Sequence, residues 1–360
     1  MSENTLIDRI AALRAPTAAA LPDAAPMPAD PPAGIRWRTA TPDDLDGMHA
    51  VIAAADAVDH STWLTPREEI ADTFDLPFID HARDTMLAVD GDGTVGAVGS
   101  AFLHPAREGT LVVNLGGAVH PRWRRRGIGT ALVGWQRERA LQALAEAVAT
   151  GLPTPPDGAW TAEIKSYAEE SNPDQAAIVE RAGFTPERWF TTMERDMSVA
   201  APVVAAPDGA RVVAYSRDRD DDVRVARNDA FRDHWGSQPS HPQTWAQFVG
   251  GAFFRPDLSR LAVGPDGSVL GFCLASVNED DWAAMGASSA YIDLIGVVRG
   301  SRRRGVAPAV IAGALAAIAE AGLERAVLDV DTASPTGANT LYEGLGFRAT
   351  ERSVAFVLHV

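Results

Sequence analysis

One pattern occurs twice in this chain and constrains its fold more than any other feature. At Arg124-Arg125-Arg126-Gly127-Ile128-Gly129, and again at Arg302-Arg303-Arg304-Gly305-Val306-Ala307, an arginine run breaks into small residues between an apolar stretch and a segment with helical apolar spacing. The preceding stretches are LVVNLGGAV, ending at Val119, and YIDLIGVV, ending at Val298. The surroundings repeat too. Each block opens with a short strand and an acid-rich helix start, IRWRTATPDDLDGMHAVIAAA from Ile35 and ARVVAYSRDRDDDVRVARNDAF from Ala210. Each continues with two strands joined by an Asp-Gly turn, TMLAVDGDGTVGAVGSAFL and SRLAVGPDGSVLGFCLASV. After the arginine segment comes a strand, WTAEIKSY or RAVLDVDT, then a short helix ending in ERAGF or EGLGF, then a closing strand, RWFTTMERDM or RSVAFVLHV. A repeat of this period is a duplicated domain rather than a solenoid.

Domain limits follow from the composition between the blocks. Residues 1–34 are dominated by Ala and Pro and lack the apolar surface to offset the entropy of ordering, so they read as a disordered tail with one short helix over Thr5–Leu13. Residues 198–208 read as a linker between a first domain, 35–197, and a second, 209–360. The Gly127-to-Gly183 span is 15 residues longer than Gly305-to-Gly346, and the excess falls in the loop TGLPTPPDGAW, which leaves the core order unchanged.

Several function classes are excluded early. The chain has 360 residues, 46% hydrophobic and 22% charged, which is globular composition with room for two domains. No run approaches the ~18 apolar residues of a membrane span, and the N-terminus does not read as a signal peptide, so a cytoplasmic location is expected. Cys273 is the lone cysteine and the histidines show no metal-ligand spacing, so neither an internal disulfide nor a structural metal is expected. A net charge of −16 repels nucleic acid and anionic membranes and favours a neutral or cationic small-molecule partner. A duplicated chain can act as its own pseudo-dimer, which is compatible with a monomer and leaves the oligomeric state open.

A strand feeding an arginine- and glycine-rich turn that opens a helix is suited to phosphate. The first-turn amides lack intrahelical partners, the dipole is positive there, and glycine admits close approach of an anion. Neither copy has the Lys-Ser/Thr of a P-loop, and Leu132 and Val310 stand where a Rossmann motif needs its third glycine.

Both loops match the Arg/Gln-x-x-Gly-x-Gly/Ala signature and resemble the GNAT acyltransferases; the tandem layout is similar to the mycothiol synthase-like group. The resemblance covers nearly everything after residue 35. It implies an α/β (α+β) fold of two tandem domains, each a mixed, splayed central sheet flanked by helices, with acyl-CoA wedged where strands part after a bulge in the fourth. It implies acetyl-CoA as cofactor, held by Val297, Val298, Arg302, Arg303, Arg304, Gly305, Val306 and Ala307 in the second copy. Val119, Arg124, Arg125, Arg126, Gly127, Ile128, Gly129 and Thr130 correspond in the first. Ser334 stands near where many relatives place a cofactor-contacting asparagine.

The resemblance also distinguishes the halves. A tyrosine before the Gly-Phe element usually protonates the departing thiolate. Tyr342 holds that place in the second block, whereas the first has Val179, which cannot donate. Tyr342 can equally be a core ring beneath the last strand. Tyr291 occupies a position where the family often has a basic glutamate, and Asp293 lies two residues on, able to act as a base, to act through water or to anchor a loop. His234 and Trp235, after the first helix of the block, and Asp331, at the end of the fifth strand, are candidates for contact with the acceptor amine. The expected reaction is direct acetyl transfer to a primary amine of a small molecule by the C-terminal half, the N-terminal half binding acyl-CoA without chemistry. The alternatives are the acetylation of a cysteinyl-aminosugar-inositol, as in the mycothiol synthase-like group, and a non-catalytic acyl-CoA-binding or sensing protein.

Overall fold

The computed structural model describes residues 5–14, 28, 32–59, 64–153, 155, 159–333 and 337–360. In chain order the strands are β1 (Arg36–Thr39), β2 (Thr85–Val89), β3 (Val95–Leu103), β4 (Thr110–Val119), β5 (Thr161–Glu169), β6 (Thr185–Asp196), β7 (Arg211–Ala214), β8 (Arg260–Val263), β9 (Val269–Ser276), β10 (Ser289–Val297), β11 (Arg325–Asp331) and β12 (Arg348–His359). The helices are α1 (Leu6–Leu13), α2 (Leu45–Asp59), α3 (Arg67–Phe74), α4 (His81–Asp84), α5 (Ile128–Ala149), α6 (Pro173–Arg181), α7 (Asp220–Ala230), α8 (Pro242–Gly250), α9 (Asp281–Met285), α10 (Val306–Glu320) and α11 (Ala338–Gly344).

Two compact units result. Unit 1 comprises Met1–Arg188 and Ser353–Val360, and unit 2 comprises Trp189–Arg352. The sheet of unit 1 runs β1-β2-β3-β4-β5-β12 and that of unit 2 runs β7-β8-β9-β10-β11-β6. Each holds a parallel pair, β4 with β5 or β10 with β11, among antiparallel neighbours.

The closing strands are exchanged. β6, which follows the first Gly-Phe element, lies antiparallel to β11 with Phe190 opposite Asp331 and Asp196 opposite Arg325. β12, which follows the second, lies antiparallel to β5 with Ser353 opposite Glu169 and His359 opposite Glu163. Chain order assigns RWFTTMERDM to the first block and RSVAFVLHV to the second, but the units take them the other way round. Nothing local prevents this, because β5 and β11 are equivalent edges of one duplicated topology and a strand's apolar alternation does not name its partner.

Both faces of each sheet are covered, as an α/β layer requires. In unit 2, Val306, Val310, Ile311, Leu315 and Ile318 of α10 pack with Cys273, Ala275, Ile292 and Leu328. On the opposite face, Val223 and Ala226 of α7 and Trp245 and Val249 of α8 pack with Phe272 and Leu274. Successive residues of β9 thus enter alternate cores, and each fully buried large side chain contributes about 1.5–3 kcal/mol. Unit 1 follows the same plan, with α5 over Met86, Ala88 and Ala97, and α2 and α3 over Leu87, Val89 and Val98.

The short helix read at Thr5–Leu13 is present as α1, with Thr5 as N-cap in a capping box with Asp8. It is packed rather than solvated: Leu6 and Ile10, one turn apart, are buried, and Arg9 donates to the Trp160 carbonyl at 2.9 Å. Residues 198–207 carry no helix or strand, and Val203 is fully exposed. The extra loop of the first block lies between Ala149 and Thr161, connecting α5 to β5.

Candidate active site

The two arginine loops adopt one conformation. Among the described residues, Arg125 (φ +63°) and Arg303 (φ +60°) are the non-glycine residues with positive φ, and they occupy the same place in the two repeats. Arg124 (φ −66°) and Arg302 (φ −62°) precede them, and Gly127 (φ +80°) and Gly305 (φ +82°) follow as N-caps of α5 and α10. Holding arginine in the left-handed region costs on the order of 1–3 kcal/mol, and such strain clusters at ligand sites. Two left-handed residues with one between them, Arg125 and Gly127 or Arg303 and Gly305, give each loop a turn of the kind that forms an anion-binding nest. Glycine has no side chain with which to cap a helix, so the first-turn amides of α5 and α10 lack that partner.

The arginines divide into anchors and exposed cations. Arg302 donates to Asp233 at 3.0 Å and to the Ala230 carbonyl at 2.9 Å, tying the loop to the end of α7. Arg299 adds contacts from its amide and side chain to Asp229. In unit 1, Arg124 grips Asp59 at the end of α2 through both terminal nitrogens, at 2.8 and 2.6 Å, and also donates to the Val119 carbonyl. The first arginine of each signature is therefore a loop anchor. Arg303 and Arg304 are exposed and pair with no acid among the described residues. Arg125 pairs at the surface with Asp174, and Arg126 lies 5.7 Å from the Trp123 ring centre. Val306 and Ile128 are buried beneath the nests, Ala307 and Gly129 are half-buried, and Thr130 is exposed. Val297 ends β10, and the Val298 carbonyl accepts from Ser301 to start the turn. Ser334 lies outside the described residues.

Each sheet parts beside its nest. β10 and β11 pair from Ser289–Arg325 to Tyr291–Val327, yet β10 runs on to Val297 and β11 to Asp331. β4 and β5 likewise stop pairing at Asn114–Lys165. The units differ at the next edge. The β9–β10 register shifts between Ile292 and Leu294, making Asp293 the extra residue of a bulge, whereas the β3–β4 register is unbroken from Ala97–Val119 to Leu103–Val113. A bulge leaves its extra residue outside the ladder, so its backbone is available to another partner.

Polar side chains gather over the parting strands of unit 2. Tyr291 donates its hydroxyl to Asp329 at 2.7 Å, Thr192 of β6 donates to the other Asp329 oxygen at 2.6 Å, and Ser276 donates to Asp293 at 2.7 Å. Burial, with Asp329 and then Asp293 nearby, pushes the Tyr291 pKa well above the ordinary phenol range, so it stays a neutral donor. Tyr342 is 8% exposed and stands edge-on to Phe347 at 6.1 Å. Its hydroxyl has no hydrogen-bond partner among the described residues, and burial together with the Cys273 thiol raises its pKa. Val179, in the equivalent place, is a fully packed core residue.

The segment after α7 forms a wall. The His234 ring meets the Trp235 carbonyl at 3.0 Å and lies against Phe231, and Trp235 packs on Phe190 of β6 with ring centres 6.1 Å apart. Asp331 is 3% exposed and accepts from the Ala333 amide at 3.0 Å, holding the turn that leaves β11. The corresponding segment of the first block offers Asp56, His60 and Trp63; Asp56 is buried and accepts from the Thr65 amide, and His60 and Trp63 lie outside the described residues. Sequence reasoning passed over Asp329, Thr192 and Phe190. Alternation along RAVLDVD flags Asp329 together with Asp331, but Thr192 and Phe190 enter this unit only through the exchanged strand.

The profile of the Acetyltransferase (GNAT) family matches residues 221–347, and that of an Acetyltransferase (GNAT) domain matches 35–185. Mycothiol acetyltransferase of Salinispora tropica is 30% identical over 251 residues, covering 67% of this chain and 71% of that protein. Mycothiol acetyltransferase of a Nocardioides species is 28% identical over 299 residues, covering 74% and 95%. Among solved structures, a GCN5-related N-acetyltransferase from Sphaerobacter thermophilus superposes with a TM-score of 0.65 at 25% identity, over 92% of this chain and 97% of that one. A tandem GNAT protein from the clavulanic acid biosynthesis pathway gives 0.60 at 16% identity, over 90% and 98%. Duplicated nests, duplicated splayed sheets and these likenesses lead to one assignment: the chain belongs to the GNAT acetyltransferases, enzymes that use acetyl-CoA, as a member with two GNAT domains in tandem.

Proposed function

We propose that unit 2 carries the chemistry and transfers acetyl to a primary amine of a small molecule, while unit 1 binds acyl-CoA without reacting. The observation that carries this reading is the bulge at Asp293, which β4 lacks. The nest at Arg303 and Gly305, the exposed Arg303 and Arg304 and the parted strands suit a pyrophosphate with a thioester arm. When bound, acetyl-CoA supplies the acetyl group. The backbone freed at the bulge donates to the acetyl oxygen as negative charge develops there, a contribution typically of about 10²- to 10³-fold. Tyr342 gives its proton to the leaving sulfur, and its raised pKa keeps that proton in place until the sulfur departs. Asp293, directly or through water, takes the proton lost by the amine. Unit 1 has Val179 in place of the acid, and its strands part at the buried Lys165, which pairs with Glu163 at 2.9 Å. The curated relatives are mycothiol acetyltransferases by name, which favours the amine of a cysteinyl-aminosugar-inositol as the acceptor of this chain.

Calorimetric titration with acetyl-CoA is expected to find two sites per chain, Gly127→Val removing one and Gly305→Val the other, because a β-branched residue is strongly disfavoured at φ near +80°. Thermal melts identify a variant that fails to fold. A wild-type stoichiometry of one would withdraw the binding role of unit 1. Thiol release from acetyl-CoA is expected with at least one primary amine in a panel that includes the cysteinyl-aminosugar-inositol. Two titratable sites with no release above hydrolysis would make the chain an acyl-CoA-binding protein.

A further inference from the structure

Asp329 has a setting that its sequence position does not announce. It projects from β11 two residues beyond the last β10–β11 pair, where the strands have parted, and it is exposed. Both carboxylate oxygens are held, one by Thr192 at 2.6 Å and the other by Tyr291 at 2.7 Å. Both donors are neutral hydroxyls. No Arg, Lys or His pairs with Asp329 among the described residues, so its carboxylate is fixed in orientation with no counter-ion among them. Each oxygen retains acceptor capacity, since an ionised carboxylate has about four lone-pair sites and two are used.

What surrounds this charge says which cation fits. β6 and β11 are antiparallel, with Thr192 opposite Asp329 and Phe190 opposite Asp331, so Phe190 and Thr192 share one sheet face with Asp329. Trp235 packs on Phe190, which places an aromatic wall about two residues, or roughly 7 Å, along the strand from the carboxylate. On the other side Tyr291 stands directly opposite Ser276, the residue that holds Asp293. Asp331, the neighbouring acid on this face, is buried and accepts from its own turn.

We propose that Asp329 is the acceptor-recognition carboxylate of unit 2, binding a primary amine in its ammonium form with the body of the molecule against Trp235 and Phe190, and that the closing strand of the first repeat completes this element through Thr192. The proposal rests on the acetyltransferase reading of unit 2. Tyr291 and Thr192 are positioning residues, which fix the carboxylate without touching the acceptor. Asp293, the extra residue of the bulge, takes the proton once the amine has docked. The first repeat thereby has a part in the second site that duplication alone would not require: its last strand carries a hydroxyl and a ring to the place where the acceptor sits.

The test uses the full chain with acetyl-CoA and the cysteinyl-aminosugar-inositol amine, following both thiol release and calorimetric binding of that amine in the presence of CoA. Asp329→Asn is expected to raise the amine KM and Kd about 10- to 100-fold, the range for losing a charged hydrogen-bond partner, with the acetyl-CoA KM within twofold of wild type. Thr192→Val is expected to raise the amine KM several-fold and Thr192→Ser to restore it, a pattern that general destabilisation would not give. Acetyl-CoA binding without turnover or amine binding in wild type would overturn the acceptor reading. Turnover and amine binding in wild type that both variants leave within twofold would overturn the role of Asp329 and keep the acetyltransferase. A rise in the acetyl-CoA KM equal to that for the amine would reduce Asp329 to a structural residue.

Discussion

Replacing Tyr342 by Phe is expected to lower kcat about 100-fold while acetyl-CoA titrates as in wild type. The hydroxyl has no partner among the described residues, so its removal breaks no hydrogen bond among them, and the ring keeps its edge-on contact with Phe347. Stability should therefore change little, and the melting temperature serves as the control. A donor used only as the leaving group departs contributes to the transition state and not to ground-state binding, so kcat and kcat/KM for acetyl-CoA should fall together. Burial raises the Tyr342 pKa, so the phenol remains protonated through the neutral range and its own ionisation does not limit the rate there. A kcat within threefold of wild type would make Tyr342 a packing residue of the α10 core.

Phe356→Ala is expected to cost about 3–5 kcal/mol, and the damage should appear in unit 1, although residue 356 lies at the far end of the second repeat. Phe356 is 3% exposed on β12, opposite Ser166 of β5, with Ala355 and Val357 buried beside it. Hydrogen exchange followed by mass spectrometry should show amides of β5 losing protection while those of β9 and α10 keep theirs. If β12 instead completed the second repeat, β11 would lose protection and β5 would not. Calorimetry gives a second readout: the site at Gly305 should persist, while that at Gly127, in the same unit as β5, should weaken.

What could be read without coordinates was whatever is written locally. The Arg-Arg-Arg-Gly segments were legible because a nest and a helix start require particular residues in succession, and Gly127 and Gly305 do take positive φ. The contrast between Tyr342 and Val179 was legible because equivalent places in a repeat can be compared directly, and α1 because Thr5 and Asp8 stand at capping-box spacing. Tertiary structure decided everything that depends on pairing. Pairing is set between strands and not within one, so nothing in either segment says that β6 will lie on β11 and β12 on β5. A bulge is a relation between two strands, so Asp293 could be named as an acid but not as the extra residue of β10. The signature alone marks Arg302 and Arg124 as cofactor contacts, yet Asp233 and Asp59 draw them into the fold as anchors, and the exposed charge falls to Arg303 and Arg304. Of two aspartates on one face of β11, the chain alone could not tell the one fastened to its own turn, Asp331, from the one held open by hydroxyls of two other strands, Asp329, because those hydroxyls come from 137 and 38 residues away.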